Sequence, residues 1–142
     1  VLTLVFIGLA GLDPVQKEYT ATWLDVGSLH VDLGLRMDTL SLMMLLVVTG
    51  VGLMIHIYSQ GYMHEDRSFG RFFACLSLFM FSMLGIVLSN NFLQMFIFWE
   101  LVGVSSYLLI GFWYEKPAAA DAAKKAFITN RLGDFGFILG II

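Results

Sequence analysis

One charged residue lies deep within a long apolar stretch of this sequence. Glu100 is the only charged side chain between Asn91 and Trp113, a stretch long enough to cross a bilayer. At about 1.5 Å per helical residue it lies ~13 Å inside, close to the middle of a hydrocarbon core about 30 Å thick. An ionised carboxylate there costs roughly 2.5 to 3.5 kcal/mol, so it needs a partner, water or a proton. Glu100 is therefore a functional candidate, and the alternative is a protonated acid that only fixes helix packing.

A second group of charged residues lies on a predicted helix further along the chain. Four of them, at offsets of three, seven and three residues, share one helical face: Asp121, Lys124, Arg131 and Asp134. If the membrane begins near residue 125, Asp134 reaches a depth of ~13 Å. Glu100 lies at a similar depth on the preceding, antiparallel helix. Polar side chains that step from the aqueous surface to the midplane predict a path for protons or ions.

The partners of these charges are less certain from the sequence than their positions. Arg131 and Asp134 can neutralise each other through an i,i+3 contact, and a structural lock between helices remains as open as a transfer role. Lys124 lies near the interface, so we expect the cation that balances Glu100 to lie beyond residue 142. A carboxylate set between burial and a nearby cation changes its protonation when that cation moves.

The remaining reactive side chains indicate no second site. His56 lies near one end of a predicted helix, where an interfacial role competes with a role in feeding protons into the path. The histidines show no metal-ligand spacing, so we predict no metal. Cys75 is typical of a small buried hydrophobe with no partner for a disulfide or a metal cluster, so we predict no redox chemistry in this chain. The absence of a basic cluster excludes a nucleic-acid partner.

The composition defines the class of protein that must position these residues. The chain has 142 residues, 58% hydrophobic and only 13% charged, which predicts an all-α integral membrane protein with a single membrane domain. Residues 13–35 form a predicted outward-facing loop, in which the alternation at 29–33 between Gly27 and Gly34 favours a short hairpin. The predicted helices are one partial helix at 1–12 and four full transmembrane helices at 37–58, 72–89, 92–113 and 122–142.

The positive charges are distributed unequally between the two sides of the predicted bundle. One side carries Lys17 and Arg36, and the other carries Arg67, Arg71, Lys116, Lys124 and Lys125. The loops at 59–71 and 114–125 should therefore face the cytoplasm, or the matrix or stroma of an organelle. The chain begins with Val1 and ends within an apolar helical pattern at Ile142, which predicts a fragment of a longer protein.

Two segments resemble the antiporter-like proton-pumping subunits of respiratory complex I. They are FIFWELVGVSSYLLIGFW, at 96–113, and KKAFITNRLGDFGFILGI, at 124–141. The resemblance implies a fold of two inverted repeats of five helices, of which this chain holds the start of the first. It implies that Glu100 is a protonatable residue paired with a lysine on a later broken helix, and that Arg131 and Asp134 form an ion pair that influences transfer. The segment from Asn130 to Asp134 resembles the distal subunit in particular.

The resemblance also implies an activity and a set of partners. The expected activity is proton translocation by one subunit of a translocase, driven by quinone reduction elsewhere in the complex. NADH, flavin, iron–sulfur clusters and quinone are then bound by other subunits, and a neighbouring antiporter-like subunit and the lipid bilayer are the expected partners. The expected location is the bacterial inner membrane, with mitochondrial inner and thylakoid membranes as alternatives. Two other functions stay open: a subunit of a sodium/proton antiporter, and a membrane scaffold with structural buried charges.

Overall fold

The computed structural model describes residues 17–27 and 29–141 and shows a hairpin followed by four helices. The strands are β1 (Lys17–Val26) and β2 (Leu29–Met37). The helices are α1 (Thr39–Tyr62), α2 (Phe69–Leu88), α3 (Phe92–Ile110) and α4 (Pro117–Ile141). The partial helix expected at 1–12 lies outside the described residues.

The expected hairpin is present and is longer than the alternating segment indicated. Its strands are antiparallel and pair from Lys17 with Met37 to Val26 with Leu29, with a register shift between Thr22 and Leu24. Gly27 in the turn has φ +64°, a conformation that side chains with a Cβ rarely adopt. The helical class predicted for the membrane part is confirmed, and the β-structure is confined to the loop that precedes it.

The first two helices are longer than the hydropathy pattern indicated. Asp38 caps α1, since its Oδ1 accepts a hydrogen bond of 2.8 Å from the backbone N–H of Ser41. The helix continues to Tyr62, four residues past the expected end, because polar side chains such as Ser59 do not interrupt helical hydrogen bonding. In the same way α2 begins at Phe69, three residues before the apolar run. Hydropathy therefore located these helices but not their ends.

The last two helices differ from their expected bounds for identifiable reasons. The helix α3 ends at Ile110, not at 113, and Gly111 forms its C-cap with its N–H bonded to the carbonyl of Tyr107. The helix α4 begins at Pro117, five residues earlier than expected. Proline fits the first helical position because its φ is already helical and no N–H is needed there.

Three helices of the described chain, α1, α2 and α3, are long and apolar enough to cross a membrane. The fourth, α4, has 25 residues. It carries the four charged residues predicted to share one helical face, which we call the charged stripe: Asp121, Lys124, Arg131 and Asp134. Contacts join α1 to α2, α2 to α3 and α3 to α4. The turn between α2 and α3 is only three residues long, so these two helices are antiparallel neighbours.

Contacts between loops show which helix ends share a side of the bundle. At one end, Arg71 Nη2 donates a hydrogen bond of 2.9 Å to the carbonyl of Phe112, and the indole of Trp113 donates one of 3.0 Å to Asp66. The loop between α1 and α2 therefore lies beside the loop between α3 and α4. The distribution of lysine and arginine predicted that this side faces the cytoplasm, or the matrix or stroma of an organelle.

At the opposite end, the hairpin is bound to the start of α3. The buried side-chain amide of Gln94 accepts a hydrogen bond from the N–H of Gly34 and donates one to its carbonyl, both 2.9 Å. A Cβ on Gly34 would overlap the side-chain amide of Asn90, so a larger residue there would displace that side chain. Asn91 adds a bond of 2.7 Å to the carbonyl of Asp32. The hairpin thus has a fixed position over the turn between α2 and α3.

Candidate functional site

The structure brings Glu100 and the charged stripe of α4 into direct contact. An ion pair joins Arg131 Nη1 to Glu100 Oε2, and the same nitrogen lies 3.9 Å from Asp134 Oδ2. Glu100 follows the first residue of α3 by eight residues, about 12 Å along the helix axis. The three charged groups therefore form one cluster between α3 and α4, far from either end of α3.

This geometry retains the pairing that the sequence suggested and adds a closer one. Arg131 was assigned to Asp134, and the cation for Glu100 was expected beyond residue 142. In the structure the closest contact of the guanidinium is with Glu100, and Asp134 lies farther away. The i,i+3 spacing allowed the Asp134 contact, but the antiparallel packing of α3 on α4 brings another carboxylate closer. A contact between helices cannot be deduced from spacing within one helix.

Asp134 has a second partner that sequence reasoning missed. The indole nitrogen of Trp99 donates a hydrogen bond of 3.1 Å to Asp134 Oδ1. Asp134 is the most buried charged residue of the cluster, with 6% of its surface exposed. The Trp-Glu dipeptide in an apolar helix was the available signal, because a membrane-buried indole N–H requires an acceptor.

The guanidinium of Arg131 lies in a mixed environment of charge and aromatic surface. Its side chain is 37% exposed, and its carbon Cζ lies 4.7 Å from the centre of the Phe127 ring. Its Nε is buried and has no hydrogen-bond partner within the described chain. The guanidinium therefore retains an unused donor and can change partners without breaking every contact it has.

A groove of about 760 Å³ runs along the α3–α4 contact beside the cluster. Its polar lining comes from Ser106, Thr129, Asn130 and Asp134, among apolar residues of α2, α3 and α4. Gly103 lies opposite Asn130, which allows the two helices to approach closely there. The Asp134 side chain therefore lines a groove that carries polar side chains from both helices.

Lys124 occupies a different position from the three clustered charges. It lies 3.4 Å from Asp121 in an exposed pair, with 70% of its side chain accessible. Seven residues, about 10 Å of helix, separate it from Arg131. Lys124 therefore lies with Asp121 near the N-terminal end of α4. Arg131 and Asp134 lie further along the helix, where they meet Glu100 of α3.

The other titratable residues considered above lie outside the cluster. His56 Nδ1 forms a hydrogen bond of 2.7 Å with the carbonyl of Gly52, one turn back on the same helix. Within the described residues, no group of three or more His, Cys, Asp or Glu side chains could hold a metal ion. Cys75 is a partly buried free thiol on α2.

Antiparallel apolar helices with an acid and base cluster at mid-length place the chain among integral membrane proteins with buried charges, a feature that in general marks a candidate path for protons or ions. Comparison with protein families agrees with this class. Residues 23–73 match a family model described as NADH-ubiquinone oxidoreductase (complex I), chain 5 N-terminus. Residues 89–142 match the model described as NADH:quinone oxidoreductase/Mrp antiporter, TM. The chain therefore belongs to the complex I chain 5 family of antiporter-like membrane subunits, which confirms the resemblance.

Individual relatives come from bacteria and chloroplasts. The chain is 58% identical over 120 residues to NAD(P)H-quinone oxidoreductase chain 5 of Synechocystis, covering 84% of this chain and 18% of that protein. It is 54% identical over 125 residues to NADH-quinone oxidoreductase subunit L of Neisseria meningitidis, covering 87% and 18%. It is 54% identical over 131 residues to chloroplastic subunit 5 of Anthoceros angustus, covering 92% and 18%. The chain thus spans less than a fifth of the length of these relatives.

Proposed function

We propose that this chain forms part of a proton-translocating membrane subunit of a quinone oxidoreductase. Quinone reduction elsewhere in the complex drives proton transfer, and Glu100 is the group that takes up and releases the proton. The observation that carries the proposal is the Glu100–Arg131 ion pair in the middle of the contact between α3 and α4. The chain's similarity to proteins named as quinone oxidoreductase subunits supports the proposal.

The chemistry follows from the charges of the cluster. With both carboxylates ionised, Glu100, Arg131 and Asp134 sum to a net charge of −1. A proton on Glu100 removes its attraction for the guanidinium, so Arg131 is then held mainly by Asp134. Loss of the proton restores the first pair. Proton uptake and the position of Arg131 are thus coupled through ordinary electrostatics.

The proposal assigns this chain to a translocase without giving it a redox centre. Electron transfer belongs to other subunits, which bind NADH, flavin, iron–sulfur clusters and quinone. The partners are the other membrane subunits of the complex, including a neighbouring antiporter-like subunit, and the lipid bilayer. The membrane is the bacterial inner membrane, with the thylakoid and mitochondrial inner membranes as the alternatives.

The test is Glu100→Gln in the full-length subunit within the assembled complex. The amide keeps the size of the side chain but cannot carry a proton across the site. We expect quinone reduction to persist with much weaker acidification of proteoliposomes, while Glu115→Gln, an exposed loop variant, acidifies normally. If Glu100→Gln pumps as well as Glu115→Gln, the cluster is structural and the proposal is wrong.

A second candidate function is sodium/proton exchange, since one matching family model also covers Mrp antiporters. The same cluster serves either activity, because a carboxylate that exchanges a proton can exchange a sodium ion. Measuring the pH gradient in sodium-free and sodium-containing vesicles separates the two. Transport that needs sodium and no quinone reduction favours the antiporter, whereas transport that needs quinone reduction alone favours the oxidoreductase.

A further inference from the structure

Trp99 is the neighbour of Glu100 on α3, and its indole contacts the other carboxylate of the cluster. The indole N–H donates to Asp134 Oδ1 at 3.1 Å. The ring is held edge-on by Phe137, with ring centroids 6.0 Å apart and an interplanar angle of 87°. Half of the Trp99 surface is exposed, but its one polar atom points into the cluster. The orientation of this side chain is therefore fixed by one hydrogen bond and one ring contact.

The hydrogen bond affects the choice of partner available to Arg131. Asp134 has two carboxylate oxygens, and Trp99 occupies Oδ1, while Oδ2 stays 3.9 Å from Arg131 Nη1. The same nitrogen is in direct contact with Glu100. Without the indole donor, Asp134 has one fewer hydrogen bond and Arg131 is the nearest cation of the described chain that can replace it.

We propose that Trp99 is a positioning residue that satisfies Asp134 and thereby keeps the guanidinium of Arg131 on Glu100. The inference rests on the proposed function and deepens it, because it names the group that sets the resting partner of Arg131. Trp99 does not carry a proton itself. It favours the contact of Arg131 with Glu100 over the contact with Asp134.

The size of the effect follows from the strength of the bond removed. A hydrogen bond to a charged group corresponds to about a tenfold change in an equilibrium, or somewhat more. Trp99→Phe keeps an aromatic ring for the contact with Phe137 and removes the N–H. We therefore expect this variant to reduce proton translocation per electron about tenfold or more in the assembled complex, without loss of quinone reduction.

A matched control exists on the same chain. Trp113 also donates its indole N–H to a carboxylate, that of Asp66, at the surface loop between α1 and α2. Trp113→Phe removes the same kind of bond away from the cluster and should leave translocation unchanged. Equal losses in the two variants would show that Trp99→Phe acts through general weakening of the fold, and would overturn the proposal.

A double-mutant cycle and a spectroscopic measurement complete the test. In an Asp134→Ala background, Trp99→Phe should cause no further loss, whereas an undiminished loss contradicts the proposal. The infrared N–H band of the Trp99 indole should shift to the frequency of a free donor in Asp134→Ala, and an unshifted band also contradicts it. The band decides the question even if Trp99→Phe fails to assemble. Normal pumping by Glu100→Gln would refute the proposed function. The infrared band would still report the hydrogen bond between Trp99 and Asp134, so the two failures can be distinguished.

Discussion

Replacing Arg131 by methionine tests whether the cluster works by exchange of one cation between two carboxylates. Arg131 contacts Glu100 directly and lies 3.9 Å from Asp134. Methionine keeps much of the side-chain length and removes the charge. The cluster then changes from a net charge of −1 to −2 when both carboxylates are ionised, and no cation of the described chain replaces the guanidinium at Glu100.

The magnitude can be worked from the distances. Unit charges 3.9 Å apart attract each other by about 4 kcal/mol at an effective dielectric constant near 20. Removing one member of a buried pair costs about 3 to 5 kcal/mol, and an exposed pair contributes less than about 1. Arg131 is 37% exposed and Glu100 is 23% exposed, so we expect an intermediate cost of about 2 to 3 kcal/mol. A cost of this size corresponds to about a 30- to 150-fold change in an equilibrium constant.

The assay is proton translocation by the assembled complex in proteoliposomes, with quinone reduction measured in parallel. Arg131→Met should lose most translocation while quinone reduction continues. Arg131→Lys should retain part of it, since lysine keeps the charge but lacks the planar fork that reaches two carboxylates. Lys125→Met removes a positive charge from an exposed position of the same helix and serves as the control. Equal proton-to-electron ratios for Arg131→Met and Lys125→Met would refute the reasoning.

Three further predictions concern the parts that position the cluster. Gln94→Leu leaves both backbone groups of Gly34 unpaired, so we expect a loss of about 2 to 3 kcal/mol and faster amide exchange at Gly34; unchanged exchange would contradict this. Asp38→Ala removes the cap of α1 and should lower the thermal unfolding temperature, whereas Asp38→Asn should change it little. The N–H of the following Ser68, and then the indole of Trp113, lower the pKa of Asp66 from its ordinary value of 3.8. A folded pKa below the unfolded one gives stability that is present above about pH 4 and is lost as pH falls through the folded pKa, so local unfolding of this loop should show an acid step that Asp66→Asn abolishes.

The sequence located the charged residues better than it located their contacts. Glu100 was identified because a single charge in an apolar helix is costly, and that argument needs no structure. The common helical face of Arg131 and Asp134 likewise followed from spacing. Their partners did not, because the contact between α3 and α4 depends on the rotation of each helix about its axis. The Trp-Glu dipeptide indicated that the Trp99 indole needs an acceptor, but neither that acceptor nor the Glu100–Arg131 pair follows from one segment alone.

The fold shows the same division between local and long-range information. The hairpin turn at Gly27 and the antiparallel return at Asn91 followed from turn residues and short connections. The ends of the helices were less well predicted, since hydropathy reports where lipid begins and helical hydrogen bonding continues into the polar loops. The start of α4 at Pro117 illustrates this, because proline was interpreted as part of a loop although it suits the first position of a helix.

Both ends of α3 are fastened to other parts of the chain, which determines what can move in the cluster. Gln94 joins its first turns to the hairpin through two hydrogen bonds, and the carbonyl of Phe112, just past its last turn, accepts one from Arg71 of α2. Glu100 lies only six residues, about 9 Å, from Gln94. The carboxylate therefore has a fixed position along α3, and under the proposed function the displacement that opens the ion pair falls to the Arg131 side chain of α4.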